Sequence, residues 1–280
     1  MSASDPVQAG AADQPGDQPG ELAPVVPGSA ADPLTDAMLI ARGAVEVGIG
    51  LKLLGGLAVR VVCPDYPPRL RRDQDIDFAC LSKERKTVAA HLEKAGCQGD
   101  RRFNNLNGDR QMYFTAPSGR PIDVMVDRLT MCHTLDFRPS FRRLPHTVDV
   151  VDLLLSKLQI VELNFKDARD IFQLLSCMPI GPSAARSATG SLVIDSDRFC
   201  QVMASDWGWW RTVTASLDKL PGLLAEHADL AQPGMPFEPL EQSAQLRQLA
   251  DETPKGVKWR MRAGVGDKVR WYELPEEVGH

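Results

Sequence analysis

The chain has 280 residues, 43% hydrophobic and 25% charged, with a formal net charge of −5, enough apolar material for one medium-sized domain with an appendage. No uninterrupted apolar run approaches the roughly 18 residues that a bilayer requires, so no membrane span is expected. Five acids in the first 34 residues (Asp5, Asp13, Asp17, Glu21, Asp32) equal the whole net charge, which leaves the other 246 residues formally neutral and neither demanding nor excluding a polyanionic partner.

Residues 1–34 hold six prolines and no Lys or Arg. With no basic n-region and no apolar h-region they do not read as a secretory signal, so a cytoplasmic location is expected. Too few large apolar side chains are present to offset ordering entropy, and a disordered tail is predicted. The pattern AMLIARGAVEVG then fits a short helix over Asp36 to Gly48, leading to a strand at Lys52 to Leu54. Gly55 and Gly56 follow, with apolar LAVRVV behind them. Glycine lets a backbone approach a ligand closely, and a helix starting there would aim free N–H groups at an anion.

After a loop containing Cys63, Pro64, Pro67 and Pro68 comes RRDQDIDFACL, a run with strand character. Side chains two apart share one strand face, so Asp75 and Asp77 would project together, about 6.5 to 7 Å apart, while Ile76 and Phe78 enter the core. A carboxylate pair of this kind suits a hard divalent cation such as magnesium, which takes one or two protein carboxylates and keeps room for water and phosphate oxygens. Ser82 to Gly96 reads as a helix with Ser82 as N-cap, and Phe103 to Gly108 as a polar turn. Gln111 to Ala116 and Arg120 to Asp127 form a predicted hairpin closing through Pro117-Ser118-Gly119. In PIDVMVD, Asp123 faces away from Ile122 and can join Asp75 and Asp77.

Val148 to Leu163 is predicted as an amphipathic helix burying Val151, Leu154, Leu155, Leu158 and Val161, with Lys157 at the edge of the stripe. A core-helix lysine reaching to solvent competes with a phosphate ligand as the reading of Lys157. Asn164 or Asp167 can cap the next helix, which turns Ala168, Ile171, Phe172 and Leu175 inward. Asp170 lies on it, and pairing with Arg169 or Lys166 is one reading of its role. GPSAARSATG (residues 181–190) reads as a linker, followed by helical stretches around Ser196 to Leu220 and Pro239 to Leu249. Trp207, Trp209 and Trp210 read as packing residues rather than a base-stacking platform. Lys255 to Arg270 carries six basic residues against Asp267, with Trp259 and Trp271 interleaved, which is either a solvated face or a nucleic-acid surface.

The six cysteines form no C-x-x-C pair and the five histidines no H-x-x-x-H spacing, so reduced cysteines and no zinc site are expected. Cys132 and His133 are adjacent, but alternate strand directions make joint ligation awkward.

Gly55-Gly56, Arg71, Asp75 and Asp77, Asp123 and the helix pair of residues 153–175 together resemble the nucleotidyltransferase superfamily, most closely its AbiEii-type branch of toxin and abortive-infection enzymes. The resemblance covers roughly Met38 to Leu175, and departs from the family in having Asp73 where Thr or Ser is frequent. It implies a small mixed-sheet α/β nucleotidyltransferase fold: a catalytic domain over residues 35–135, a helical part over 136–180 that completes the site, and a mostly helical C-terminal region over 181–280. It implies that Asp75, Asp77 and Asp123 hold Mg2+, that Gly55, Gly56, Arg71, Lys157 and Asp170 contact nucleotide, and that Lys157 neutralises pyrophosphate. The implied reaction moves a nucleoside monophosphate from a nucleoside triphosphate to an acceptor hydroxyl. RNA, in particular the 3′ end of a transfer RNA, is one acceptor, docked through Arg260, Arg262, Lys268 and Arg270; a neutralising antitoxin is an implied partner. Alternatives are a small-molecule (aminoglycoside-type) or protein nucleotidyltransferase, a D-x-D glycosyltransferase, and a catalytically silent binding scaffold.

Overall fold

A computed structural model describes residues 32–68, 74–185 and 192–274. The fold is mixed α/β, built on a five-stranded sheet and followed by a mostly helical C-terminal region. Helix α1 runs over Pro33–Glu46, three residues earlier than the apolar pattern alone suggests. The Asp32 side chain accepts from the Leu34 amide and Pro33 occupies the first turn, where its missing N–H costs nothing. Residues 32–34 therefore belong to a helix start rather than to the predicted tail; the rest of that tail lies outside the described residues.

Strand β1 (Leu51–Leu53) leads into α2 (Gly55–Val62), and β2 covers Ile76–Cys80. Strands β3 (Gln98–Gly99), β4 (Gln111–Thr115) and β5 (Pro121–Val126) complete the sheet in the order β1-β2-β5-β4-β3. The predicted hairpin is present as antiparallel β4 and β5, whereas β2 and β5 run parallel at the centre. Ile76, Phe78, Ile122 and Val124 are fully buried on one face, so Asp77 and Asp123 are left on the other.

Several local expectations change. Ser82 does not cap a helix: Ser82–Glu84 is a single 3₁₀ turn, α3 covers Arg85–Lys94, and the Ser82 amide donates to Asp127. The polar turn at 103–108 is part of helix α4 (Arg101–Asn107), because Asp100 accepts from the Phe103 amide and supplies the cap. Short strands β6 (Arg128–Thr130) and β7 (Thr134–Asp136) form a separate ribbon. Helix α5 is only Val150–Leu158, capped by Asp149, so the predicted Val148–Leu163 helix is trimmed at both ends and Val161 lies outside it. Upstream, the Leu53 amide donates to the His146 carbonyl and the Val148 amide to the Leu53 carbonyl, which ties the entry of α5 to the sheet edge.

Helix α6 (Phe165–Cys177) is capped by Asn164, whose side chain accepts from the Asp167 amide, and Ala168, Ile171, Phe172 and Leu175 are fully buried as expected. Part of the predicted linker is ordered, since β8 (Ile180–Gly181) pairs in parallel with β9 (Ile194–Asp195); residues 186–191 lie outside the described residues. The stretch after Ser196 is two helices, α7 (Ser196–Ser205) and α8 (Trp207–Glu226), because Asp206 caps the second. Helices α9 (Pro239–Glu252) and α10 (Val257–Val265) follow. One continuous hydrophobic cluster extends from Ala37 to Ala250, so α7, α8 and α9 share a core with the sheet, whereas α10 buries no residue in it.

Candidate active site

Asp77 and Asp123 are direct partners in the parallel register of β2 and β5. Neighbouring strands lie about 4.8 Å apart, so the two carboxylates leave the same face side by side. Asp75 sits just ahead of β2 and is exposed, and its negative charge adds to that around Asp77. Burial, reinforced by Asp123 and opposed by Lys157, pushes the Asp77 carboxyl up to about 7. Asp123 is oriented by the Gln111 side chain, which donates to its Oδ1 at 2.6 Å. Gln111 escaped the sequence reading, although strand alternation in QMYFT puts it on the Asp123 side.

The glycines shape the other wall. Gly55 has φ +66°, and a Cβ there would stand 2.4 Å from Asp77 Oδ2. At Gly56 a Cβ would stand 3.0 Å from Gln74 Nε2 and 3.5 Å from Asp170 Oδ2. Glycine thus brings the start of α2 against the acid, and no side chain caps that start, so its first N–H groups point outward unsatisfied by the helix. Gly55→Ala is expected to cost about 1–2 kcal/mol from the left-handed backbone alone and to push Asp77 aside; urea unfolding alongside nucleotide binding measures both effects.

Between α2, β2 and α6 lies a cleft of ≈ 180 Å³ lined by Gly56, Gln74, Asp77, Lys157, Asp170 and Gln173, with Arg60, Lys166, Asp167 and Arg169 at its walls. Lys157 Nζ is 2.8 Å from Asp167 Oδ1 and 2.8 Å from Asp170 Oδ2. Burial works against its charge, yet Asp170 and Asp167 outweigh that and hold it above the usual lysine range. Asp170 therefore pairs with Lys157, ten or more residues away in the chain, rather than with Arg169 or Lys166. Arg60 is held in a two-pronged pair with Asp32 at 2.9 and 2.8 Å. Arg169 donates to the Pro67 carbonyl and lies over the Tyr66 ring. Where α2 meets α6 the Cys63 thiol donates to the Gln173 carbonyl at 3.7 Å, and Gln173 Nε2 donates to the Cys63 carbonyl at 3.2 Å.

Of the residues singled out from sequence, Gly55, Asp77 and Asp123 meet at one end of this cleft, and Gly56, Lys157 and Asp170 along it. Arg71 lies outside the described residues. Among the described residues no three His, Cys, Asp or Glu side chains form a ready metal cage. The Asp77–Asp123 pair nevertheless fits magnesium by its chemistry: both donors are hard oxygens, and two adjacent carboxylates, one with its charge disfavoured, are stabilised by a divalent cation. The Cys132–His133 adjacency makes no such site, since Cys132 is buried and His133 bonds Thr212 at 2.8 Å, with burial pushing its ring down to about 4.

The aromatic C-terminal residues pack rather than stack openly. Trp207 lies edge-on to Trp271 with Arg262 over its face, Trp209 lies against His133, and the indole N–H groups of Trp259 and Trp271 donate to Met203 and Thr212. Arg262 is spent on the Gly266 and Val269 carbonyls, whereas Arg260, Lys268 and Arg270 are exposed.

No family model matches the chain, and no curated protein sequence matches it. Among solved structures it is similar to one described as "Crystal structure of putative nucleotidyltransferase from H. pylori", with 11% identity and a TM-score of 0.31 over 78% of this chain and 90% of that one. At that level the overlap carries no weight for the chemistry.

Proposed function

We propose that the protein is a magnesium-dependent nucleotidyltransferase of the AbiEii type that moves a nucleoside monophosphate from a nucleoside triphosphate to an acceptor hydroxyl. The observation that supports it most is the Asp77–Asp123 pair with the uncapped glycine start of α2 pressed against it: anion-seeking N–H groups and cation-seeking carboxylates stand within one small site. In the reaction the acceptor oxygen bonds to the α-phosphorus, the bond from that phosphorus to the bridging oxygen of the β-phosphate breaks, the hydroxyl proton leaves to solvent, and pyrophosphate departs. Asp77 and Asp123, with Asp75 at their edge, would hold magnesium, which when bound polarises the phosphate oxygens. The amides of Gly55 and Gly56 bind phosphate oxygens, and the Lys157–Asp167–Asp170 cluster fixes α6 against α5. Gln111 keeps Asp123 turned to the site.

For the acceptor we propose an RNA end, in particular the 3′ end of a transfer RNA, in a toxin-like activity within the cytoplasm that a neutralising protein would hold in check. Exposed Arg260, Lys268 and Arg270 offer its phosphates a surface. Incubation with each α-labelled nucleoside triphosphate, magnesium and whole-cell extract should place label in RNA, and chelation should abolish it. RNA affinity should fall with salt at a log–log slope of about −0.7 per single-strand phosphate contacted, and Arg260→Gln with Arg270→Gln should flatten it by roughly one to two units. Label in protein or small molecules alone would reject the RNA acceptor; no labelled product from any nucleotide would reject the reaction.

A further inference from the structure

The acid pair stands near the start of the central parallel strands, Asp77 in β2 and Asp123 in β5. At the other end, about 13 Å further along at roughly 3.3 Å per residue, Leu81 and Asp127 leave the two strands and enter a second pocket. It measures ≈ 600 Å³, against ≈ 180 Å³ for the cleft, and is lined by Lys83, Arg138, Arg142 and Arg143 around Asp127. Ligands of open α/β sheets commonly bind beyond the carboxyl ends of parallel strands, in cavities of about 300–1,000 Å³.

The arginines are fixed from outside this cavity. Asp136 grips Arg138 through two nitrogens, Glu84 takes Arg142 at 2.6 Å and Asp195 takes Arg143 at 2.5 Å, and none of these carboxylates lines the pocket. Arg142 and Arg143 each bond through one terminal nitrogen, so most of their guanidinium donors have no acceptor among the described residues. Positive charge also accumulates behind them: Lys52, buried on β1 with its ammonium on the Pro145 carbonyl, is pushed below the usual lysine range by burial and then by Arg142. Crowded like charges oppose folding, and the exposed pairs of Arg138 and Arg142 return little. An anion in the pocket would offset the repulsion and use the open donors.

Asp127 adds the opposite chemistry. It is the one non-glycine residue at positive φ among the described residues, at 62°, a strained backbone of the kind that collects at ligand sites. Its amide donates to Cys80, its carbonyl accepts from Phe137 and its Oδ1 accepts from the Ser82 amide, while Oδ2 has no hydrogen bond among the described residues. A carboxylate repels phosphate but accepts from a sugar hydroxyl, as acids do from ribose in nucleotide sites. Leu81 and Pro139 add an apolar wall against which a base can lie.

We propose that this pocket binds a ribonucleotide, free or as one unit of an RNA chain, with its phosphate among Arg138, Arg142 and Arg143 and its 2′-hydroxyl on Asp127. None of these side chains belongs to the nucleotidyl-transfer site, so the pocket can bind whether or not the protein transfers nucleotide.

The test is a titration of full-length protein, in chelator and without triphosphate, with adenosine 5′-monophosphate, its 2′-deoxy form, inorganic phosphate and a short oligoadenylate. Wild type should bind the monophosphate at least roughly tenfold more tightly than inorganic phosphate, and more tightly than the 2′-deoxy form. Arg138→Gln combined with Arg142→Gln should weaken the monophosphate at least roughly tenfold, the scale of one charge-assisted hydrogen bond. Its unfolding midpoint should stay close to wild type, because both pairs are exposed. Asp127→Gly, which suits the left-handed backbone, should keep phosphate binding and equalise the ribo and deoxy forms. An oligoadenylate held more tightly than the monophosphate, and weakened by the same variants, assigns the pocket to an RNA chain; one held no better assigns it to a free nucleotide. Equal binding of both ligands by wild type and the double variant overturns the proposal, as does a wild type that binds neither, or that holds the monophosphate no better than inorganic phosphate. Asp127→Gly retaining a preference for the ribo form overturns it as well.

Discussion

Asp77→Asn is expected to abolish transfer while making the folded protein more stable at and above neutral pH. The loss follows from removing one of the two register-paired carboxylates, and for a group acting on charge in the transition state it should be about a hundredfold or more. The gain follows from linkage. The folded-state carboxyl is raised from an ordinary 3.8 to about 7, mainly by burial and then by Asp123. Between those values the folded protein binds more protons at this position than the unfolded chain, so stability falls as pH rises through the interval and stays low above it. Asparagine carries no such penalty. A gain on the order of 4 kcal/mol at pH 8, vanishing near pH 4, is expected. Urea unfolding of both proteins at pH 5 and pH 8 in chelator measures it, and midpoints that differ equally at the two pH values would refute the assignment of a strained acid.

Asp152→Ala should be the most damaging substitution far from the cleft. Asp152 is fully buried on α5, accepts from the Ser140 hydroxyl, and lies 3.4 Å from the Arg198 guanidinium on α7. Burial raises its carboxyl to about 6 against the opposing pull of Arg198 and the Ser140 bond. Arg198 also donates to the Asp136 carbonyl at 2.7 Å, so one charge pair joins the β6–β7 ribbon, α5 and α7. Truncating the acid leaves a buried guanidinium without its counter-charge, a loss of about 3–5 kcal/mol. Asp152→Ala combined with Arg198→Met should recover much of it, since a buried pair contributes less than the penalty for breaking it. Denaturant midpoints for the single and double variants decide the matter; an additive double variant would show that the pair is not coupled.

The central elements were legible in the sequence because their signal is local. Strand alternation puts Ile76 and Phe78 on one face and Asp77 on the other, and the same alternation places Asp123 opposite Ile122. Caps were legible where the capping side chain lies within three residues of the amide, as with Asn164, and the same short-range chemistry at Asp32, Asp100 and Asp206 corrected helix starts that apolar periodicity alone had misplaced. What lay beyond reach were contacts between residues distant in the chain. That β2 pairs in parallel with β5, setting Asp77 beside Asp123, is a property of the sheet order. The Lys157 cluster, the Arg60–Asp32 pair, the Cys63–Gln173 bonds and the Asp152–Arg198 pair all depend on how helices pack on that sheet. Sequence by itself determined which face each carboxylate takes, because backbone geometry imposes a period of two on any strand. Only the tertiary structure decided which charges are compensated and which are left open, because electrostatic pairing depends on distance and burial, and a chain position specifies neither.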